Sequence, residues 1–112
     1  MKYLMIIILE HEAHAHPLIK DLDDAGIHGT VISSVNMKNK LLTGEDEPLP
    51  HFGGLRHIVK PAFQESTTLL LVVKDEALEK AKEIARRITE NFKDDCGKML
   101  AIPLTFSEGH IA

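Results

Sequence analysis

The stretch TTLLLVVKDEALEKAKEIARRITENF, residues Thr67–Phe92, decides the fold of this chain. Its first seven residues, Thr67–Val73, are apolar or β-branched, and so short a run reads as a buried strand. From Asp75 onward the pattern changes period. Leu78, Ala81, Ile84, Ala85, Ile88 and Phe92 recur at spacings of three and four, which places them on one face of a helix. Asp75 suits the N-cap, and Glu76–Lys80 and Glu83–Arg87 form favourable i,i+4 pairs. Lys80, Lys82, Arg86 and Arg87 lie among acids on the same pattern, so this basic cluster reads as a solvated helix face. Beyond the helix, KMLAIPL (Lys98–Leu104) is a further strand, with Pro103 pushing its end toward an edge or a break.

Upstream the same unit repeats. YLMIIIL (Tyr3–Leu9) is a nearly unbroken apolar run and reads as a central strand. Leu18, Ile19, Leu22 and Ala25 follow at helical spacing, with Pro17 expected in the first turn and Gly26 as a left-handed terminator. TVISSV (Thr30–Val35) is a second short strand. The expected fold is therefore α+β: a ferredoxin-like βαββαβ sandwich, a four-stranded antiparallel sheet with two helices on one face. The whole chain, residues 1–112, forms a single domain of that kind. The uncovered face keeps apolar side chains because the first and third strands are apolar at nearly every position. A domain this small is marginal with such a face in water, so homo-oligomerisation through it is predicted.

Composition narrows the classes of function. The chain is 44% hydrophobic and 27% charged, with a formal net charge of -4, so it can build a core and lacks the dense basic patch that nucleic acid or an anionic membrane requires. Its single cysteine, Cys96, excludes an intramolecular disulfide. The apolar run at the N-terminus is too short to span a bilayer, which predicts no membrane insertion and a cytoplasmic protein.

Between the second and third strands lies a long segment, Asn36–Ser66. Loops of that length inside a compact domain are usually functional or disordered. Lys38–Glu47 is polar and charged and is expected to be mobile. Leu49–Phe63 holds Phe52, Leu55, Ile58, Val59 and Phe63, with Leu55, Ile58 and Val59 spaced for a helical turn stopped by Pro61, so this half is expected to be anchored.

These features resemble the PII superfamily of trimeric signalling proteins, named for the nitrogen regulatory protein PII. AGIHGTVISSVNMKNKLL (Ala25–Leu42) is similar to the PII stretch in which a glycine ends the first helix, a second glycine opens strand two, and the strand runs into the mobile T-loop. DDCGKMLAIPL (Asp94–Leu104) resembles the PII B-loop, and PHFGGLRHIV (Pro50–Val59) looks like a divergent, short bacterial branch. The resemblance implies a homotrimer that binds a small anionic effector, such as ATP, ADP or AMP, in clefts between subunits. It further implies regulation of a transporter or enzyme through the 36–66 loop. Carried over by position, the effector residues are Gly29, Thr30, Val31 and Ile32, then Asn36, Met37 and Lys38 at the loop base, and Gly97 and Lys98 on the B-loop; Arg56 in the loop, flanked by His51 and His57, is an anion ligand, an anchor that folds the loop back on the body, or one half of a structural salt bridge. Asp95 stands where the family has a glycine, the loop base lacks its Gly-x-Gly run and glutamine, and Tyr3 is the sole tyrosine, so uridylylation has no acceptor in the loop.

Another class of function rests on HEAHAH (His11–His16). His11, His14 and His16 are metal-ligand types, and His11 and His14 are spaced to share a helical face. The H-E-x-H order differs from the zinc-protease H-E-x-x-H. This alternative is a metal-binding trimer similar in fold to the CutA proteins; its bland counterpart is a polar strand-to-helix connection. Cys96 beside Gly97 and Lys98 is a candidate reactive thiol or an incidental turn residue. No nucleophile elbow, triad order or carboxylate pair is present, and an enzyme is not expected.

Overall fold

Apolar strands alternating with amphipathic helices place this chain in a two-layer sandwich, and a computed structural model, describing residues 1–43 and 66–111, has that form. The elements are β1 (Lys2–Leu9), α1 (Glu12–Asp24), β2 (Gly29–Ser34), α2 (Met37–Thr43), β3 (Ser66–Lys74), α3 (Asp75–Ile88) and β4 (Gly97–Pro103), with a short 3₁₀ turn at Lys93–Asp95. The sheet order is β2-β3-β1-β4, and each neighbouring pair is antiparallel. That is the ferredoxin-like arrangement expected from the sequence.

Alternation along the strands divides the side chains between two environments. Met5, Ile7 and Leu9 of β1 and Leu69, Leu71 and Val73 of β3 are buried beneath the helices. They meet Ala15, Leu18 and Leu22 of α1 and Leu78, Ala81, Ile84 and Ala85 of α3 in one core. Each fully buried aliphatic side chain contributes about 1.5–3 kcal/mol of transfer free energy. Residues of the other parity form the open face. In register across the sheet, Leu4 lies between Val72 and Ile102, Ile6 between Leu70 and Leu100, and Ile8 between Thr68 and Lys98. Leu100 and Ile102 are exposed, so an apolar surface remains without a covering layer among the described residues.

Several local expectations change. α1 starts at Glu12, ahead of the expected first turn, so Pro17 lies inside the helix and leaves the Ala13 carbonyl without its usual N–H partner. His11, in extended conformation, is its N-cap. Asp75 does not cap α3; Lys74 holds that position and Asp75 is the first helical residue. The Asp75 carboxylate instead accepts from the N-terminal ammonium of Met1 at 3.2 Å. That contact, together with the Tyr3 hydroxyl, holds its carboxyl below the ordinary carboxylate value. Gly26 does adopt the left-handed conformation, φ 77°, just past the end of α1. The start of the long segment is helical over Met37–Thr43. The expected anchored half, Leu49–Phe63, lies outside the described residues.

Candidate functional site

The first turn of α1 brings two of the three clustered histidines together. β1 ends at Leu9, and the Glu10 N–H donates to the Cys96 carbonyl at 2.7 Å, which ties the strand-to-helix bend to the start of β4. The His14 N–H then donates to the His11 carbonyl at 3.1 Å, closing the turn. The two imidazoles meet edge to face, with ring centroids 5.8 Å apart and planes inclined at 67°. His14 Nδ1 is buried and has no hydrogen-bond partner among the described residues. A buried ring nitrogen of this kind ordinarily finds a donor, an acceptor or a metal ion. His16 stands two residues beyond His14, roughly 200° around the helix, and is exposed. It does not join the pair. Among the described residues no group of three or more His, Cys, Asp or Glu side chains is placed to hold a metal ion. His11 and His14 thus amount to two side chains of metal-ligand type, fewer than a zinc site draws from its protein.

The residues assigned to an effector site fall in two separate places. Gly29–Ile32 lie on β2 at one edge of the sheet, and Gly97 and Lys98 on β4 at the other. Three strand spacings separate these edges, about 14 Å. One subunit therefore cannot close a pocket around both. Both glycines answer to strand packing. A Cβ on Gly29 would lie 2.4 Å from the Leu70 carbonyl oxygen, and one on Gly97 would lie 2.2 Å from that of Ile8. Thr30 and Ile32 point to the open face and Val31 to the helix side, following the register with Leu70, Thr68 and Leu69. Lys98 shares the open-face row of Ile8. At the loop base, Asn36 Nδ2 donates to Glu10 Oε2 at 2.8 Å, while Met37 is 83% exposed and Lys38 is also exposed. Arg56 lies outside the described residues.

The turn ahead of Gly97 turns most of its N–H groups inward. The N–H groups of Asn91, Phe92, Lys93 and Cys96 are spent on Arg86 O, Thr89 Oγ1, Thr89 O and Lys93 O. Asp94 and Asp95 add negative charge on the same turn. Cys96 is 2% exposed, and its thiol donates toward the Thr89 carbonyl at 3.8 Å. Burial first, then the nearby acids Asp94, Asp95 and Glu90, push the thiol above its ordinary value. The reactive reading of Cys96 is therefore corrected to that of a packed, protonated thiol.

Sequence reasoning missed a polar cluster at one end of the open face. Ser34 Oγ lies 2.6 Å from Ser66 Oγ and 2.9 Å from Thr68 Oγ1, and Glu10 and Asn36 pair close by in sequence. These residues share the parity of the apolar open-face row, so the polar interruption was present in the sequence. Locating it required the β2–β3 register, which places Ser34 opposite Ser66.

No protein-family model matches the sequence, and no curated protein sequence matches it. Solved structures do match in fold. A functionally unknown protein from Pediococcus pentosaceus superposes with a TM-score of 0.61 at 14% identity, covering 97% of each chain. The periplasmic divalent cation tolerance protein CutA from Archaeoglobus fulgidus gives 0.52 at 12% identity, over 96% of this chain and 88% of its own. The divalent cation tolerance protein from Thermus thermophilus gives 0.50 at 16% identity with the same coverage. Similarity at this level establishes a shared fold. No helix among the described residues is long and apolar enough to cross a membrane.

Proposed function

We propose that this chain is a homo-oligomeric divalent-cation-binding protein with the fold of the CutA proteins, assembled as a trimer through the open sheet face, with His11 and His14 as its metal ligands. The observation that carries this reading is the buried, partnerless Nδ1 of His14 beside the ring of His11. Two neutral imidazoles suit zinc or copper, and a bound ion would accept the lone pair of the orphan nitrogen. The chain's own residues do the positioning. His11 caps α1 in extended conformation, the Cys96 carbonyl fixes the preceding bend, and the first helical turn sets the spacing of the rings. The cation tolerance proteins that share the fold support this reading without fixing the metal. Purified protein titrated with Zn(II) and Cu(II), with metal content read by mass spectrometry, tests it. The wild type and His16→Ala should each retain metal, and the double variant His11→Ala, His14→Ala should lose it. Full retention by the double variant ends the proposal.

A second reading is supported by the placement of the other residues. Gly29–Ile32 and Gly97–Lys98 sit on opposite edges, so two copies meeting edge to edge would unite them in a cleft between subunits, as the PII-like resemblance implies. A small anionic effector there, such as ATP, ADP or AMP, shifts the 36–66 segment between states that dock or release a regulated transporter or enzyme. Such a shift requires differential affinity for the two states. Hydrogen exchange of the Asn36–Thr43 amides is the test. Protection on adding nucleotide supports this reading, and unchanged exchange with all three nucleotides counts against it.

A further inference from the structure

We infer that the apolar cup between α1 and the β2 edge binds a small hydrophobic amine, with its hydrocarbon seated in the cup and its ammonium on the Asp23 carboxylate. The buried core lies between the two helices and the central strands, whereas every residue of β2 keeps solvent contact. The strip between α1 and β2 is a cup of about 150 Å³ on the helix side of the sheet. Buried Leu22, Ile27, Leu69 and Leu71 form its floor, and Ile19 and Val31, 37% and 51% exposed, form its walls. Gly29 also lines it. A Cβ there would meet Leu71 Cδ2 at 2.3 Å, so glycine is what lets Leu71 lie against the strand. A cavity of this size takes a benzene-sized guest. Covering the two exposed walls favours an apolar one.

Charge at the mouth selects the sign of the guest. α1 closes on Asp21, Asp23 and Asp24 with no base in its last turn, at the negative end of the helix dipole. Arg87 reaches Asp21 at 2.6 Å, and Lys20 reaches Asp24 at 3.0 Å. Asp23 is the one of the three that lines the cup. Among the described residues its ion-pair partner is the imidazole of His28, Nδ1 to Oδ1 at 3.3 Å, which is a cation only when protonated. No lysine or arginine among the described residues lines the cup. The backbone carbonyls at this helix end are already taken, Leu22 O by the Ala25 and Ile27 N–H groups and Asp23 O by that of Gly26. The charge facing a guest is therefore that of the Asp23 side chain. An anion is repelled by it, a neutral hydrocarbon gains the cup alone, and a compact hydrocarbon bearing an ammonium gains both.

This site approaches β2 from the helix side and is complete within one copy. It requires neither the histidine pair nor a cleft between subunits.

Titration of benzylamine into the metal-free and nucleotide-free protein, followed through its methyl resonances, tests the inference. The methyls of Ile19, Ile27, Val31, Leu69 and Leu71 should shift along one saturating curve. Benzyl alcohol has the same shape without the charge. It should bind about two- to fivefold more weakly, the range that an exposed ion pair supports, and benzoate more weakly still. Asp23→Asn should remove the preference for the amine while leaving the affinity for the alcohol as it was, and added salt should shrink that preference. Val31→Phe, at an exposed position, narrows the cup and should lower both affinities about tenfold with circular dichroism unchanged. The inference is overturned if the alcohol binds as tightly as the amine, or if Asp23→Asn leaves the preference intact. It is equally overturned if the shifts fall on Leu4 and Leu100 of the open face, or if Val31→Phe changes neither affinity.

Discussion

The two βαβ halves cover the same sheet face but leave their helices in opposite ways. α1 ends at a single glycine: Gly26 takes φ 77°, and nothing lies within 4 Å of where its Cβ would be. α3 exits through Glu90, Asn91 and Phe92, then Asp94 and Asp95, all with positive φ and none of them glycine. Left-handed conformation costs an L-residue roughly 1–2 kcal/mol, less for Asn and Asp. The second half holds that strain because packing fixes the turn from several sides. Buried Thr89 donates to the Ala85 carbonyl at 2.6 Å and accepts from the Phe92 N–H at 3.0 Å, and Phe92 packs against the core. Cys96 closes the turn from beneath. The first half has a shorter buried stripe, an internal proline and the histidine run. Structure is concentrated in one half and candidate chemistry in the other.

The largest effect that would break this contrast comes from the core of the second half. Ile84→Ala removes a side chain that is 2% exposed and should cost about 2–5 kcal/mol in chemical denaturation. A loss below 1 kcal/mol would mean that α3 does not hold its exit turn in place. Next are two substitutions of opposite sign. Gly26→Ala meets no atoms but puts an L-residue at φ 77°, in the left-handed region, so it should destabilise by about 1 kcal/mol. Glu90→Gly relieves a left-handed residue and should stabilise by about 0.5–1 kcal/mol, once the greater freedom of glycine in the unfolded chain is counted. Equal signs for the two would erase the distinction between the exits.

The sequence disclosed the parts of this contrast that rest on period and parity. TTLLLVV and the three-and-four spacing from Leu78 to Ile88 were enough to place β3 and α3, and the same logic placed β1 and β2. The exit of α3 was not legible. Phe92 fits the helical stripe and does pack on the core, but from a left-handed backbone beyond the helix, because the Thr89 hydroxyl takes over its N–H. Pro17 misled in a similar way, since a proline suggests a first turn while tertiary packing lets α1 begin earlier. For the candidate site, the pairing of His11 with His14 was readable from spacing. The orphaned Nδ1 depends on burial, which spacing does not report. The separation of Gly29 from Gly97 needed the strand order.

A weaker link joins the halves directly. Arg87 on α3 donates to Asp21 on α1 at 2.6 Å, so the arginine expected to serve Glu83 within its own helix reaches the other half. Both side chains retain solvent contact, and exposed pairs contribute little. A double-mutant cycle of Asp21→Ala with Arg87→Ala should give a coupling of about 0.2–1 kcal/mol, shrinking with salt. Coupling near zero would leave the halves joined by apolar packing alone.

The smallest effect is confined to alkaline pH and again belongs to the second half. The Cys96 thiol is raised above its ordinary value of 9.0, chiefly by burial and secondarily by Asp94, Asp95 and Glu90. In the unfolded chain the thiol loses its proton at the ordinary value, whereas in the folded chain it keeps it to higher pH. The native state therefore binds more protons in that window, and stability falls with rising pH. The contribution is fully present below the unfolded value and is lost as pH rises through the folded one. Thermal melts from pH 7 to pH 10.5 should show this alkaline decline in the wild type, reduced in Cys96→Ala after correction for its lower baseline stability. Thiol-reactive reagents should label native Cys96 slowly at pH 8 and rapidly once denaturant opens the turn. Fast labelling of the native protein would show that the exit turn opens readily, and the packing credited with holding five left-handed residues would then be too weak to do so.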